Sequence, residues 1–455
     1  MTAPPPWVND ANAALLTDLY QLTMLQAYLE AAMSDEAVFD LFIRRLPQPR
    51  NYLIACGLDD VLHYLETVSF DVEALDYLES LGRFSKDFLH WLGEFRFTGD
   101  VYAMPEGTPF FANEPILEIV APLPQAQLIE TFLLNQIQFQ TLIASKASRV
   151  VFAAAGRTVI DFGLRRMHGT DAAMRAARAF FVVGIDDTSN VLAAKTYGMQ
   201  PVGTMAHSYI EAHDDELTAF RVFADTFADA TLLVDTYDTL QGVRNVIRLA
   251  GELGGDFKIR AVRLDSGDLA QLAKDARRLL DEAALPHVEI FASGNLDEYA
   301  IANLVAAQAP IGGFGVGTRM GVSADVPYLD SAYKLASYAG RARMKLSVGK
   351  GNLPGPKQVF RITSDGEASH DVIALHDEKL DGQPLLVKVM EAGRRLPAGQ
   401  RTLGQIRAHC NEAMSNLPPR LRALEPADPP YLVKLSQTLQ DELDRLRRDL
   451  EPIQG

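Results

Sequence analysis

The chain has 455 residues, of which 48% are hydrophobic and 22% charged, and its formal net charge is −16 at pH 7. This is the composition of a soluble globular protein, and the length predicts two domains or a barrel with large additions. The acidic balance excludes sequence-independent nucleic-acid binding, although local arginines can still form a phosphate pocket. Only Cys56 and Cys410 are present, which excludes a disulfide framework or a cysteine zinc site.

The chain carries no sign of export or membrane insertion. No apolar run approaches the roughly 20 residues that span a bilayer. The N-terminal sequence MTAPPPWVNDANA lacks the basic and apolar regions of a signal peptide. We therefore expect a cytoplasmic protein that binds neither membranes nor nucleic acid.

The first third of the chain alternates between helical and strand-like patterns. Leucines near helical spacing predict a helix within residues 1–30, and an alternating run ended by Pro47 predicts a strand over 36–47. The following segments are helical over 58–93, β-rich over 97–123, and a long amphipathic helix over 126–151.

Seven short apolar runs then end in polar or charged residues and open into helical stretches. They are TVID (158–161), VVGID (182–186), PVGTMAH (201–207), TLLVD (231–235), AVRLD (261–265), EIFASGN (289–295) and GFGVGT (313–318). Their spacing of roughly 20 to 30 residues is that of a strand, a helix and two short loops. The pattern predicts a parallel α/β barrel.

Catalytic groups of such a barrel come from the loops at the carboxyl ends of its strands. The polar residues there suit an enzyme that handles an anionic substrate. They are Arg165, Asp186, Asp187, His207, Asp235, Arg263, Asp265, Ser293, Asn295 and Thr318.

The helices between and after these runs carry their own signals. Asp187, Thr188 and Ser189 are placed to cap a helix that ends near Gly198. After the barrel, residues 330–365 read as further strands, and the stretch from Pro429 to the C-terminal region reads as a polar amphipathic helix.

His207 is the principal candidate for catalysis. It stands at a predicted strand end, and Asp235 ends the next run. A carboxylate that binds one ring nitrogen fixes the tautomer and makes the other nitrogen a better nucleophile, able to accept a phosphoryl group. The alternative is that Asp235 only caps the following helix.

Two further segments fit binding of anions and flat rings. In DFGLRR, Phe162 can stack a ring and Arg165 can bind phosphate or carboxylate, unless the arginines form a solvated basic turn. In VRLDSGDL, Arg263 can bind a carboxylate or stack on a heteroaromatic ring, and Asp265 can hold a ribose diol or magnesium, unless the segment is only a helix cap.

The glycine-containing turns at 294 and 315–317 let backbone amides approach an anion, although glycine also marks ordinary turns. Late barrel strands often hold a phosphate.

With these residues assembled, the chain closely resembles the nicotinate phosphoribosyltransferase family. Matching segments run in the family's order from residue 15 to about 347. They are LLTDLYQLTM (15–24), FDLFIRRLP (39–47), DFGLRR (161–166), GIDDTSNVLAAKTYG (184–198), GTMAHS (203–208), LLVDTYDT (232–239), VRLDSGDL (262–269), ASGNLDEY (292–299), GFGVGTRM (313–320) and YKLASYAGRARMKLS (333–347).

The resemblance implies a fold and a reaction. The fold is an irregular parallel α/β barrel over 141–340, packed on a second α/β domain formed by residues 1–140 and completed by about 340–455. The reaction transfers phosphoribosyl from phosphoribosyl pyrophosphate to nicotinate, giving nicotinate mononucleotide and pyrophosphate, driven by ATP with Mg²⁺. It belongs to NAD salvage, in a homodimer with shared active sites.

The resemblance also assigns roles to residues. His207 becomes a phosphohistidine with Asp235 as its partner, and Asp265 lies near the ribose. The expected pyridine-binding residues are Tyr20 from the second subunit, Phe162, Arg165, Ser189, Thr204 and Arg263. The expected phosphate-binding residues are Arg44, Gly294, Gly317, Thr318, Lys334 and Lys345. The metal ligands stay unassigned.

Substrate choice is expected to depend on Ser189. The related nicotinamide-using enzyme has an aspartate there, which would repel the carboxylate of nicotinate. The family often has glycine where this chain has Asp187, which adds negative charge near an anionic ligand. The alternatives are a nicotinamide or quinolinate phosphoribosyltransferase, or a non-catalytic nucleotide-binding barrel.

Overall fold

The computed structural model describes residues 7–346 and 351–450. The chain packs as two units, one formed by Met1–Leu142 with Tyr328–Gly455 and the other by Ile143–Pro327. The first division lies beside the expected boundary at residue 140. The second comes before residue 340, because the strand Ser331–Tyr338 pairs with the N-terminal strand Glu36–Ile43.

The N-terminal part of the first unit contains five strands. The first six helices of the chain also begin there. The strands are β1 (Glu36–Ile43), β2 (Leu53–Ile54), β3 (Asp100–Ala103), β4 (Pro109–Phe110) and β5 (Pro115–Pro122). The helices are α1 (Leu19–Glu30), α2 (Leu58–Thr67), α3 (Val72–Ser80), α4 (Lys86–Gly93), α5 (Leu123–Leu128) and α6 (Glu130–Ala153). A short 3-10 turn, Ala13–Leu15, precedes α1.

The second unit alternates strands with helices, as the repeat predicts. Its strands are β6 (Thr158–Asp161), β7 (Asp187–Thr188), β8 (Gln200–Pro201), β9 (Thr231–Leu233), β10 (Ala261–Leu264), β11 (Glu289–Ala292) and β12 (Gly313–Val316). Its helices are α7 (Thr170–Val182), α8 (Val191–Tyr197), α9 (His207–Glu211), α10 (Glu216–Thr226), α11 (Thr239–Leu253), α12 (Leu269–Glu282), α13 (Glu298–Ala306) and α14 (Thr318–Gly321). Leu164–Arg166 and Gly254–Asp256 form 3-10 turns.

These seven strands form one parallel sheet in the order β8-β7-β6-β12-β11-β10-β9. The α/β class with a parallel sheet is therefore confirmed. Within the described ranges β8 and β9 are the edges of the sheet and do not pair, so the curled sheet is an incomplete barrel. All seven carboxyl ends lie at the same edge, which gathers the following loops.

The returning C-terminal part adds strands to the first unit. They are β13 (Ser331–Tyr338), β14 (Arg341–Ala342), β15 (Lys357–Ser364), β16 (Glu367–Leu375), β17 (Gln383–Pro384), β18 (Val387–Glu391), β19 (Arg394–Arg395) and β20 (Leu432–Leu435). The helices are α15 (Leu403–Ser415), α16 (Pro419–Arg422) and α17 (Gln437–Leu450), with a 3-10 turn at Pro397–Gly399.

Strands from both chain ends share one antiparallel sheet in the order β14-β13-β1-β5-β3-β18-β19. A smaller sheet has the order β17-β15-β16-β20, and β2 pairs with β4. The central strand β1 is buried from Ala37 to Ile43 because β5 and β13 cover both of its edges and its side chains are mostly apolar. No helix in the described part of the chain is both long and apolar enough to cross a bilayer.

Buried carboxyl groups stabilise this first unit in two clusters. Asp40 pairs with Lys357 at 2.7 Å, and the Lys357 backbone N–H donates to Glu118 at 2.8 Å. In the second cluster Arg361 donates two bonds to Asp371, with Glu114 alongside. Burial, followed by repulsion from the neighbouring aspartate, raises the pKa of both glutamates well above the usual range.

Several sequence predictions differ from the structure. VVGID is not a strand, because α7 extends to Val182 and only Asp187–Thr188 pairs in the sheet. The cap of α8 is Asn190, whose side chain accepts from the N–H of Ala193, rather than residues 187–189. The predicted C-terminal helix begins only at Gln437, since Leu432–Leu435 adds to the small sheet.

Candidate active site

A cavity of about 260 Å³ lies against the parallel sheet of the second unit. Residues at the carboxyl ends of the strands line part of it, namely Phe162, Thr204, Arg263, Ser293 and Gly315. Further along the sheet it is lined by Thr158, Asp187, Gln200, Thr231 and Arg260. Its volume is slightly below the roughly 300 Å³ at which pockets for drug-sized ligands begin, so it suits a small aromatic molecule.

Arg263 is held rigidly at this cavity by three neighbours. Its Nε donates to Ser293 Oγ at 2.8 Å, Nη1 to Thr204 Oγ1 at 2.8 Å and Nη2 to Asp265 Oδ1 at 2.7 Å. The side chain is 15% exposed. A guanidinium fixed in this way presents a defined planar face to the cavity.

Asp265 completes the network. Its Oδ1 also accepts from Ser293 Oγ at 2.5 Å. Burial tends to raise the pKa of Asp265, but the bonds from Ser293 and Arg263, with the charges of Arg263 and His207, outweigh it and lower the pKa. The carboxylate is therefore ionised at neutral pH and can attract a developing positive charge.

Phe162 and Arg263, both expected to bind the pyridine ring, lie next to each other, with the guanidinium over the aromatic ring. The Arg263 Cζ lies 5.3 Å from the centroid of the Phe162 ring. A ring held between two planes needs roughly 7 Å, twice a carbon contact distance. The two residues therefore make a cation–π contact here, and a pyridine between them requires the gap to widen by about 2 Å.

His207 is the first residue of α9 and its side chain is 43% exposed. Its Nδ1 lies 3.2 Å from Thr236 Oγ1, and its Nε2 lies 3.9 Å from Asp265 Oδ2. The expected bond between His207 and Asp235 is not the observed one. The loop after β9 turns so that Thr236, the next residue, reaches the imidazole instead.

Asp235 bonds to the loop after β10. Its Oδ2 accepts from the Asp265 N–H at 2.9 Å and from Ser266 Oγ at 2.6 Å. The alternative that Asp235 caps the next helix is also wrong, because Asp238 caps α11. The carboxylate instead fixes the backbone of Asp265.

The glycine turns approach the same loops. At Gly294 the backbone φ is +90°, and an added Cβ would lie 1.9 Å from the Asp265 carbonyl oxygen, so only glycine fits. Gly317 precedes α14, and a Cβ there would lie 3.0 Å from the Phe162 carbonyl oxygen. Thr318 is exposed as the first residue of α14.

Two of the expected pyridine contacts lie away from the cavity lining. Ser189 is half-buried just beyond β7, and its N–H donates to the Asp161 carbonyl oxygen at 2.8 Å. In the described part of the chain the cavity is lined at this strand by Asp187 and not by Ser189. Arg165 is exposed in the 3-10 turn after β6 and does not line the cavity either.

The remaining candidates belong to the first unit. Arg44 bonds to Asp330 at 3.0 Å just after β1, Lys334 lies half-buried on β13, and Lys345 follows β14. Burial lowers the pKa of Lys334, the charge of Glu130 opposes this, and the charges of Arg44 and Lys345 lower it further, so the three cations lie near one another. Tyr20 is half exposed on α1.

Models of nicotinate phosphoribosyltransferase domains match most of the chain. The N-terminal domain of the family matches residues 15–138, the family's main domain matches 158–339 and its C-terminal domain matches 379–443. Nicotinate phosphoribosyltransferase pncB2 of Mycobacterium tuberculosis is 53% identical over 434 residues, covering 95% of this chain and 94% of the relative.

The chain belongs to the nicotinate phosphoribosyltransferase family. Nicotinate phosphoribosyltransferase of Bacillus subtilis is 43% identical, covering 83% of this chain and 79% of the relative. The crystal structure of human nicotinic acid phosphoribosyltransferase superposes with a TM-score of 0.83 at 29% identity, covering 94% of this chain and 99% of the human one. The protein is accordingly an enzyme of NAD salvage whose substrates are nicotinate and phosphoribosyl pyrophosphate.

Sequence reasoning missed two residues of this nicotinate phosphoribosyltransferase site. Thr236, the residue that contacts His207, lies inside the quoted LLVDTYDT segment but carries no motif signal of its own. Asp161 ends β6, directly before Phe162 in the DFGLRR segment. A carboxylate that ends an otherwise apolar strand is a signal that could have identified it.

Proposed function

We propose that this nicotinate phosphoribosyltransferase couples the transfer to ATP through transient phosphorylation of His207. The proposal comes from the family resemblance, and the surroundings of His207 support it. The imidazole is partly exposed, the Thr236 hydroxyl lies against Nδ1, and the Asp265 carboxylate is near Nε2. If Nδ1–H donates to Thr236, the Nε2 lone pair is available to attack phosphorus.

ATP hydrolysis through His207 and phosphoribosyl transfer are two processes that consume only ATP, water, nicotinate and phosphoribosyl pyrophosphate. In the first, Nε2 bonds to the γ-phosphorus of ATP, the bond to the bridging oxygen breaks, and ADP leaves with the electron pair. Water later cleaves the N–P bond and gives phosphate. In the second, the pyridine nitrogen of nicotinate attacks the ribose anomeric carbon, and pyrophosphate leaves. Asp265 would stabilise the positive charge that develops on the ribose.

Magnesium is the metal that this chemistry requires, and one feature of the site fits it. Asp235 Oδ1 is buried and has no hydrogen-bond partner in the described structure, so it can bind a hard cation or one of its waters. Such an ion would offset the charge of the departing pyrophosphate.

The contacts of His207 carry this proposal, and His207→Ala tests it. Labelled ATP should give the wild-type protein an acid-labile, base-stable phosphate, whereas the variant should acquire none and lose ATP stimulation. A weak ATP-independent transfer should remain, because binding and orientation do not need the phosphoryl group. His213→Ala, a histidine in the segment just after α9, is the matched control and should still be phosphorylated. Continued phosphorylation of His207→Ala would refute the assignment.

We further propose a homodimer in which Tyr20 enters the partner's active site. Tyr20 is exposed on α1 beside exposed Leu16 and Leu19, an apolar surface that suits a protein partner. A mixture of Tyr20→Ala and Arg263→Ala chains should then regain partial activity, since some hybrid dimers contain one intact site. Tyr77→Ala, an exposed tyrosine on α3, should be active without mixing. No recovery despite verified subunit exchange would count against the shared site.

A further inference from the structure

Asp161 is a buried carboxylate that the proposed chemistry does not use. It ends β6, is 1% exposed, and lies between the aromatic residue Phe162 and the neighbouring strand β7. An ionised group in such a place is costly unless it is hydrogen-bonded, so its bonds show what it stabilises.

Asp161 accepts three hydrogen bonds, one from the turn after β6 and two from the end of β7 and the residue that follows it. Its Oδ1 accepts from the Gly163 N–H at 2.8 Å, and its Oδ2 accepts from Thr188 Oγ1 at 2.7 Å. Its carbonyl oxygen accepts from the Ser189 N–H at 2.8 Å. The first bond fixes the peptide that follows Phe162, and the other two fix the end of β7.

The neighbours leave little freedom for this arrangement. A Cβ at Gly163 would lie 3.0 Å from Asp161 Oδ1 and 2.5 Å from Met167, so the turn is packed closely. Thr188 Oγ1 also accepts from the Asn190 N–H at 3.0 Å, which commits the hydroxyl hydrogen to Asp161. The bonds therefore run from the peptide that follows Phe162 to the cap of α8.

We propose that Asp161 is a positioning residue whose carboxylate sets Phe162 and the Thr188–Ser189 strand end together, and so determines the affinity for nicotinate. The proposal rests on the pyridine site at Phe162 and Arg263. None of these three hydrogen bonds involves His207 or Asp265, so Asp161 acts on pyridine binding rather than on phosphoryl transfer.

The carboxylate form is the one that accepts both bonds. Burial raises the pKa of Asp161 to about 6, while the bonds from Thr188 and Gly163 lower it in part. No charged side chain pairs with it in the described ranges. Titratable or charged groups on adjoining elements include Asp187 on β7, Arg165, Arg166 and His168 in the exposed segment after β6, Asp171 and Arg175 on α7, and Arg319 on α14, which pairs with Asp297. The adjoining strand β12 carries none.

Protonation turns one oxygen of Asp161 from a hydrogen-bond acceptor into a donor. The groups that face the carboxyl, the Gly163 N–H and the Thr188 hydroxyl, are donors as well. Nicotinate binding should therefore weaken as the pH falls through about 6. The KM for phosphoribosyl pyrophosphate also changes over that range, because the second ionisation of a phosphate monoester lies at about pH 6. The contribution of Asp161 is therefore the part of the nicotinate pH dependence that is present in wild type and absent in Asp161→Asn.

The decisive experiment compares Asp161→Asn, Thr188→Val and Phe162→Leu with wild type, at several pH values and with both substrates. Asp161→Asn should raise the KM for nicotinate at least about fivefold, change kcat less than about twofold, and lose the acid limb near pH 6. Thr188→Val removes a bond that lowers the pKa of Asp161, so the acid limb should move to higher pH.

The outcomes separate this proposal from the pyridine site itself. If Phe162→Leu leaves the KM for nicotinate unchanged, the pyridine site is wrong and the role of Asp161 falls with it. If Phe162→Leu weakens nicotinate but Asp161→Asn does not, or if Thr188→Val leaves the acid limb in place, only the positioning role is wrong. Equal loss for both substrates in Asp161→Asn would show a structural role and overturn the proposal.

Discussion

Arg263 joins three strand ends through one side chain. Its donors reach Thr204 after β8, Asp265 after β10 and Ser293 after β11. Asp265 in turn depends on Asp235, which accepts from its backbone N–H. A change at any of these positions therefore alters the guanidinium face next to Phe162, even where the residue does not contact the substrate.

Substrate choice should respond to charge at Ser189. Ser189 lies just beyond β7, next to the part of the cavity that Asp187 lines, and the longer side chain of an aspartate there would repel nicotinate and offer nicotinamide an acceptor for its N–H groups. We expect Ser189→Asp to lower kcat/KM for nicotinate at least about tenfold, roughly 1.4 kcal/mol of transition-state binding, while nicotinamide use rises or holds. Initial rates with each pyridine at saturating phosphoribosyl pyrophosphate measure this.

Ser189→Asn is the matched control because it has nearly the size of aspartate without the charge. It should spare nicotinate if repulsion is the cause. Asp187 already places a carboxylate at the cavity, and burial raises the pKa of this group. Ser189→Asp would add a second carboxylate two residues further along the chain. An unchanged preference in Ser189→Asp would mean that this side chain does not face the pyridine substituent.

The sequence identified most of the residues around the cavity but not their partners. Phe162, Thr204, Arg263 and Asp265 were all expected, and the structure brings them together. The pairing of His207 with Asp235 could not be predicted correctly, since it depends on where a loop turns within one or two residues. Sequence separation does not carry that information.

At the scale of the element, the turn between β11 and α13 depends on Gly294. Alanine there would combine a positive φ with a clash against the Asp265 carbonyl oxygen. We expect Gly294→Ala to destabilise the protein by about 2 kcal/mol or more and to reduce kcat/KM by displacing Asp265. Denaturant unfolding and initial rates provide the two measurements.

Gly198→Ala isolates the contribution of the backbone conformation. Gly198 also has a positive φ, +72°, but no atom lies within 4 Å of an added Cβ. It should cost only about 1 kcal/mol and leave activity unchanged. Similar losses of stability and activity in Gly294→Ala and Gly198→Ala would show that the close approach of Gly294 to Asp265 has no effect on either property.

Strand prediction succeeded where the apolar run was flanked by clear turns. Five of the seven runs contain parallel strands of three or four residues, from β6 and from β9 to β12. The other two failed because β7 and β8 have only two residues each. Val182 and Val183 are apolar and β-branched, and a short run of this kind cannot be distinguished from the buried end of a helix.

At the scale of the whole molecule, stability should fall as the pH rises. The pKa values of Glu114 and Glu118 are raised in the folded state by burial. Their contribution is fully present below the unfolded pKa of about 4.3 and is lost as the pH rises through the folded values. In Glu118→Gln the side chain stays neutral at every pH. Between pH 5 and 9 the Tm of this variant should therefore fall at least about 2 °C less than the Tm of wild type.

Thermal unfolding across that pH range provides the measurement, with Glu73→Gln as control. Glu73 is exposed in the first turn of α3, so its removal should leave the slope of the wild-type curve unchanged. Parallel curves for wild type and Glu118→Gln would show that Glu118 is already ionised in the native protein.

The pairing of β1 with both β5 and β13 also imposes an order on synthesis at the ribosome. Translation proceeds at about 5–20 residues per second, so the contiguous stretch 143–327 takes roughly 10 to 40 s to emerge. Throughout that interval β1 lacks the strand that covers its second edge. An apolar strand with an open edge is a template for pairing with other chains. The nascent polypeptide should therefore need chaperone protection most during this interval, which ends only when Ser331–Tyr338 leaves the exit tunnel.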